Sequence, residues 1–224
     1  MNKKVAIITG SEGDIGKALV KKFEEVGYKV YGFDIKKGDD ITKWKEIREK
    51  IFNIGKKEHY IDVLINNAGI NNVENIDKES FDPYIMLNVN VVAPEFLSRC
   101  VLKYMKRGGS IINITSLWSE IAGEDNPFYG ISKGGLKILT KCIARDMAKY
   151  NIRCNNVGFG YIKTSMTKNG WKNKRKEIAN KTMLGRWGKP SDVVGIIAFL
   201  CSDEAKYITG QDIYVDGGWL AKGL

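Results

Sequence analysis

Short apolar runs alternate along the chain with longer segments in which apolar residues recur every three or four positions, and no linker or internal repeat interrupts them. The runs Lys4 to Thr9, Lys29 to Phe33, a stub near Asp40, Val63 to Asn66, Ser110 to Thr115, Arg153 to Val157 and Asp212 to Val215 predict seven strands. Helical periodicity predicts helices near Ile15 to Val26, Thr42 to Ile54, Phe81 to Met105, Phe128 to Lys149 and Ser191 to Cys201. Strand and helix in turn along the whole length mean an α/β fold, a parallel sheet with helices on both faces.

The chain of 224 residues has the length of one such domain, and residues 1–224 are read as one unit. Cys100, Cys142, Cys154 and Cys201 are scattered, without metal-ligand spacing or a C-x-x-C pair, which fits a reducing compartment and no metal site. The N-terminal apolar run is too short for a secretion signal, and no stretch approaches the roughly 20 apolar residues of a membrane span, so a cytoplasmic protein with no membrane partner is expected. The net charge of +10 raises nucleic acid as a partner. Its lysines are spread over helix-like segments, however, and only Lys168 to Lys181 is dense, so a solvated basic surface that draws in anionic ligands is the expectation.

The first run leads through Thr9-Gly10-Ser11-Glu12-Gly13-Asp14-Ile15-Gly16 into a helix, the layout that seats a pyrophosphate on a helix N-terminus. The second ends at Asp34, 18 residues past Gly16, where a carboxylate can accept from an adenosine ribose and repel a 2′-phosphate. Glu12 adds negative charge nearby, and Lys36 and Lys37 lie past the strand end, which favours NAD(H) over NADP(H). The plainer alternative is that Asp34 only caps a turn.

Tyr129 and Lys133 stand at i and i+4 on one helix, so both emerge on one face. An ammonium beside a phenol stabilises the phenolate and pulls its pKa down from about 10, which suits a general acid or base. Ser116 follows the fifth strand, at the sheet end where such folds place ligands.

Together these motifs resemble the classical short-chain dehydrogenase/reductase family over essentially the whole chain. Thr9 to Gly16 is similar to its T-G-x-x-x-G-x-G, and Asn66-Asn67-Ala68-Gly69 is identical to its N-N-A-G. Ser116 precedes Tyr129 by the family's 13 residues, Tyr129-x-x-x-Lys133 is its catalytic pair, and Asn90 matches the asparagine of its tetrad better than Asn88. Ile152-Arg153-Cys154-Asn155, Gly160 to Thr164 and Val215-Asp216-Gly217-Gly218 resemble its later segments. The resemblance implies a doubly wound, Rossmann-type sheet in order 3-2-1-4-5-6-7, and a small-molecule substrate. It implies cofactor contacts from Gly10, Glu12, Gly13, Asp14, Ile15, Gly16, Asp34, Asp40, Ile41, Asn67, Ala68, Gly69, Tyr129, Lys133, Gly160, Ile162 and Thr164. It implies catalysis by Asn90, Ser116, Tyr129 and Lys133, with Asn90 holding a water, and a dimer or tetramer paired through its two long helices.

Departures from the family pattern keep other readings open. Asp14 replaces the second loop glycine, where a carboxylate near a pyrophosphate weakens binding unless it turns away. Phe159 replaces a proline and is expected to loosen the loop toward Thr164, and the stretch from Asp34 to Asp40 is too short for a crossover helix. The basic segment Ser165 to Leu184 suits either an acidic or phosphorylated substrate or a solvated helix. An NADPH-dependent 3-oxoacyl reductase is the enzymatic alternative, and a non-catalytic dinucleotide sensor is the alternative of another class.

Overall fold

The computed structural model describes residues 3–71, 82–123 and 126–222. β1 (Val5–Thr9) turns into α1 (Asp14–Glu25), followed by β2 (Lys29–Phe33), α2 (Trp44–Glu58) and β3 (Ile61–Asn66). Beyond these lie α3 (Pro83–Leu87), a π-helical turn Asn88–Val92, α4 (Ala93–Leu102), β4 (Met105–Ser116), α5 (Pro127–Met147) and β5 (Arg153–Phe159). α6 (Lys168–Asn173), α7 (Arg175–Lys181), α8 (Pro190–Cys201), β6 (Asp212–Val215) and α9 (Trp219–Lys222) complete the described chain.

The sheet is parallel throughout, in order β2-β1-β3-β4-β5-β6. It has six strands among the described residues, not the seven expected, and the order is the expected one with its outermost strand gone. The stub near Asp40 is a turn. Asp40 accepts from the backbone and hydroxyl of Thr42, while Ile35–Lys37 forms a single 3-10 turn. Side-chain hydrogen bonds of this kind compete with a sheet ladder and win where the chain is short. The expected helix from Phe81 to Met105 also changes. Phe81 lies outside the described residues, the helix ends at Leu102, and Met105 already pairs with Ile61 in β4.

The central strands β1 and β3 are apolar on both faces because each face is covered. On one side Val5, Ile7, Leu64 and Ile111 pack with Ile47 and Ile51 of α2, Leu97 and Val101 of α4, and Ile143 and Met147 of α5. On the other, Ala6, Ile8, Ile65 and Ile112 meet Leu19 and Phe23 of α1 and Val193, Ile197 and Leu200 of α8. The strict alternation of Val5 to Ile8 between two cores places all ligand-binding groups at the strand ends.

The run Tyr84–Leu102 is 19 residues long with mean hydropathy 1.4, so by length and composition it does reach what a membrane crossing needs. Its Ala93, Leu97 and Val101 are nonetheless fully buried against the sheet. Replacing Leu97 with Ala opens a cavity at this contact and should lower unfolding stability by about 2–5 kcal/mol in a urea titration. A change within experimental error would contradict the packing.

Candidate active site

β1 and β3 diverge at their carboxyl ends, and Thr9 holds the gap. Its Oγ1 accepts from the amides of Asn67 (3.1 Å) and Ala68 (3.0 Å), while Asn67 Nδ2 donates to the carbonyls of Thr9 and Gly10. Gly10, at φ +66°, comes so near that a Cβ there would stand 2.9 Å from Ala68 Cα. A Cβ on Gly16 would lie 1.9 Å from the Gly10 carbonyl oxygen, so α1 can start against the loop only with glycine at that position. No side chain caps α1, which leaves its first amides for an anion.

A cavity of about 480 Å³ opens there. Gly10, Glu12 to Gly16, Asp34, Asp40, Ile41, Asn67 to Gly69 and Thr164 all line it, together with Phe33, Ile35 and Lys36. Gly160 and Ile162 are not part of this lining. Gly160 packs so closely on Asp216 that a Cβ would meet its Cα at 2.7 Å, and Ile162 is buried beside α8.

At the acidic end, Asp34 Oδ2 accepts from the Glu12 amide (2.8 Å) and Oδ1 from the Lys36 amide (2.9 Å). Asp34 does cap a turn, and it also ties that turn to the phosphate loop. Glu12 differs from expectation, because Lys37 folds back to within 2.6 Å of it and Lys17 stands at 3.9 Å. The hydrogen bond from Lys37 holds the Glu12 carboxyl below the usual range, and its charge is compensated.

Asp14 turns away from the amides of its own helix. Its Oδ2 accepts both the amide and the hydroxyl of Ser165, each at 2.6 Å, and these bonds hold its carboxyl below the usual range. Thr164 sits in the adjoining turn, its amide donating to Thr167 Oγ1. Phe159 does not loosen this approach. It is buried and extends β5, opposite Ser116 on one side and Val215 on the other. The basic segment beyond is folded onto aromatic rings, with Lys163 Nζ 4.3 Å and Arg175 Cζ 4.6 Å from the Trp171 ring, which meets Trp187 edge-on.

At the chemical end, α5 begins at Asn126, which accepts from the Tyr129 amide, and carries Tyr129 and Lys133 toward Ser116 at the end of β4. Burial pushes the Tyr129 phenol up to about 12, and a hydrogen bond with Ser116 acts the other way. Desolvation is the larger of these two influences on the phenol. Lys133 is 4% exposed, donates to the Ile114 carbonyl (2.8 Å), and stands 5.7 Å from the Tyr129 ring centre. Burial lowers its ammonium to about 8.

Asn90 occupies the π-helical turn, an irregularity frequent at functional sites. It exchanges two 2.9 Å hydrogen bonds with the backbone of Ile70 and donates to Ser132 Oγ (3.0 Å), which in turn donates to the Tyr129 carbonyl. Asn88 is exposed. A Cβ on Gly69 would lie 3.3 Å from Asn90 Oδ1 and 3.4 Å from Lys133 Nζ, so Gly69 joins the cavity to the catalytic group. Sequence reasoning missed the roles of Ser132, Ser165 and Asn126, while Trp118, which it would place at the substrate pocket, has its ring 5.6 Å from that of Tyr129. Only Asn126 had a readable cue, an Asn-Pro pair at a helix start.

The glycine cradle, the uncapped helix and the acidic far end fit a dinucleotide. A family model described as enoyl-(acyl carrier protein) reductase matches residues 10–220. The chain is 35% identical over 240 residues to a 3-oxoacyl-(acyl-carrier-protein) reductase of Thermotoga maritima, covering 96% of this chain and 97% of that one. It is 36% identical over 248 residues to a 7alpha-hydroxysteroid dehydrogenase of Bacteroides fragilis, covering 96% and 93%. The structure of 4-hydroxyisoleucine dehydrogenase complexed with NADH superposes with a TM-score of 0.89 at 33% identity, covering 97% and 99%.

Lys133 gives up its proton near 8 in the folded chain and near 10.5 when unfolded, so between these values the unfolded state holds more protons. The penalty of a buried ammonium is complete below about 8 and relieved as pH rises. Wild-type stability relative to a Lys133→Met variant should therefore increase from pH 8 to 10.5, by up to about 3 kcal/mol. Urea unfolding of both proteins at stepped pH checks this, and a flat difference would contradict it.

Proposed function

We propose that this chain, which belongs to the short-chain dehydrogenase/reductase family, uses NAD(H) with Tyr129 as its acid-base group. It is an NAD(P)-dependent oxidoreductase that interconverts carbonyl and CH–OH groups of small-molecule substrates. The observation that carries the proposed assignment is the placement of Tyr129 between Ser116 and the buried Lys133.

The dinucleotide, when bound, supplies or takes the hydride. In reduction, Ser116 holds the carbonyl oxygen at the end of β4, and Tyr129 gives its proton to that oxygen as negative charge develops. A phenol raised to about 12 is protonated before the reaction, as an acid must be. The Lys133 ammonium offsets the charge of the phenolate that is left and also reaches the nicotinamide ribose. Asn90 fixes the start of α5 through Ser132 and holds a water beside Lys133. Oxidation runs the same groups in reverse. Asp34 and Asp40 would hold the adenosine end, and Thr164 would hold the nicotinamide amide.

One observation favours a second reading, an NADPH-dependent 3-oxoacyl reductase. With Glu12 paired to Lys37, repulsion of a 2′-phosphate falls on Asp34. The exposed Val92 of the π-helical turn and Ile131 and Ile138 of α5 suit pairing of subunits into a dimer or tetramer.

Tyr129→Phe should lower turnover at least a thousandfold and leave the NADH dissociation constant within about twofold. Full activity in that variant, followed by absorbance of the reduced cofactor over a panel of ketones, secondary alcohols and sugars, would remove the mechanism. Calorimetric titration should also show NADH bound roughly tenfold or more tightly than NADPH, since Asp34 faces the 2′ position. The reverse order selects the second reading.

A further inference from the structure

The carboxylate of Asp14 stands where an anion-binding loop should least want one, and its contacts show what it does there. Phosphate-loop residues Gly13 to Gly16 form one wall of the cavity, and Thr164, Ser165 and Met166 form the wall opposite. One bridge spans them at the exposed rim, from Asp14 Oδ2 to the amide and hydroxyl of Ser165. Two donors converging on a single anionic oxygen, beside an uncapped helix N-terminus, is the arrangement a phosphate oxygen would meet.

We propose that Asp14 is a positioning residue that stands in for a phosphate oxygen: it holds the Ser165 donors in the free protein and gives them up to the diphosphate of an entering dinucleotide. This deepens the dinucleotide reading and rests on it. In the free protein the charge-assisted pair of hydrogen bonds keeps the Thr164 to Met166 wall where it will meet the ligand, so little ordering is left for binding. In the bound protein Ser165 turns its amide and hydroxyl to the phosphate, and Asp14 moves out to solvent, since two anions cannot share the same donors. No proton is transferred in the exchange. Its effect is a weaker hold on every diphosphate ligand, and none on ligands without phosphate.

The test is calorimetric titration of wild type, Asp14→Asn, Ser165→Ala and the double variant with NADH, ADP and adenosine, alongside thermal melting of the free proteins. Asp14→Asn keeps the shape but loses the charge. It should bind NADH and ADP roughly tenfold more tightly and adenosine unchanged, while the free variant melts lower than wild type. Improved binding together with reduced stability is a combination that a merely bracing role would not produce. Equal or weaker diphosphate binding by Asp14→Asn overturns the exchange, as does a gain shared by adenosine. A gain of full size in the Ser165→Ala background reduces Asp14 to a like charge at the rim and overturns it too. If neither wild type nor Asp14→Asn binds NADH or ADP, the dinucleotide reading itself falls, and this inference with it.

Discussion

The cavity exists because two neighbouring parallel strands lead their chains apart, and one hydroxyl keeps that parting in shape. Thr9 Oγ1 accepts the amides of Asn67 and Ala68 just where β1 and β3 cease to pair. Buried amides left without partners would each cost about 1–3 kcal/mol, so the chain after β3 is held to one path. That path brings Gly69 against Asn90 and Lys133 on one side, and Asn67 against the Gly10 carbonyl on the other. The glycine-rich loop and the Tyr129–Lys133 pair are thus located from a single point of the sheet, the switch in strand order where open α/β sheets place their ligands.

The two ends of the site handle charge by different means. At the adenosine end, carboxylates are shared out among backbone amides and lysines, so their charge is fixed in place and partly offset. At Tyr129 and Lys133, which lie beyond the lining of the cavity, desolvation is the dominant influence. The phenol of Tyr129 holds its proton more firmly and the ammonium of Lys133 less firmly than in water, because both are desolvated and neither is bonded to an opposite charge there.

The sheet was legible in the sequence because it rests on a short period, and the candidate chemical residues were legible only through the family resemblance. Alternating cores make strands read as unbroken apolar runs, and the spacing of Ser116, Tyr129 and Lys133 follows from one strand end meeting one helix face. The missing seventh strand was not legible. Asp40 chooses between ladder and turn according to whether Thr42 is placed to donate to it, a matter of side-chain geometry that no periodicity encodes. The compensation of Glu12 by Lys37 and the bridge from Asp14 to Ser165 were hidden for a related reason. The first depends on a turn folding back, and the second joins positions 151 residues apart. The dehydration of Lys133 likewise depends on what surrounds it and not on its neighbours in sequence.

Among the described residues β2 is a border of the sheet, with β1 as its one strand neighbour. Such a border invites a foreign strand to add on, yet β2 is only five residues long, and its Lys29 and Tyr31 are both engaged by Glu58 from the end of α2. Shortness and charge together make a poor template for intermolecular pairing. Lys29, Tyr31 and Glu58 thus disfavour strand addition at this border, away from the candidate site.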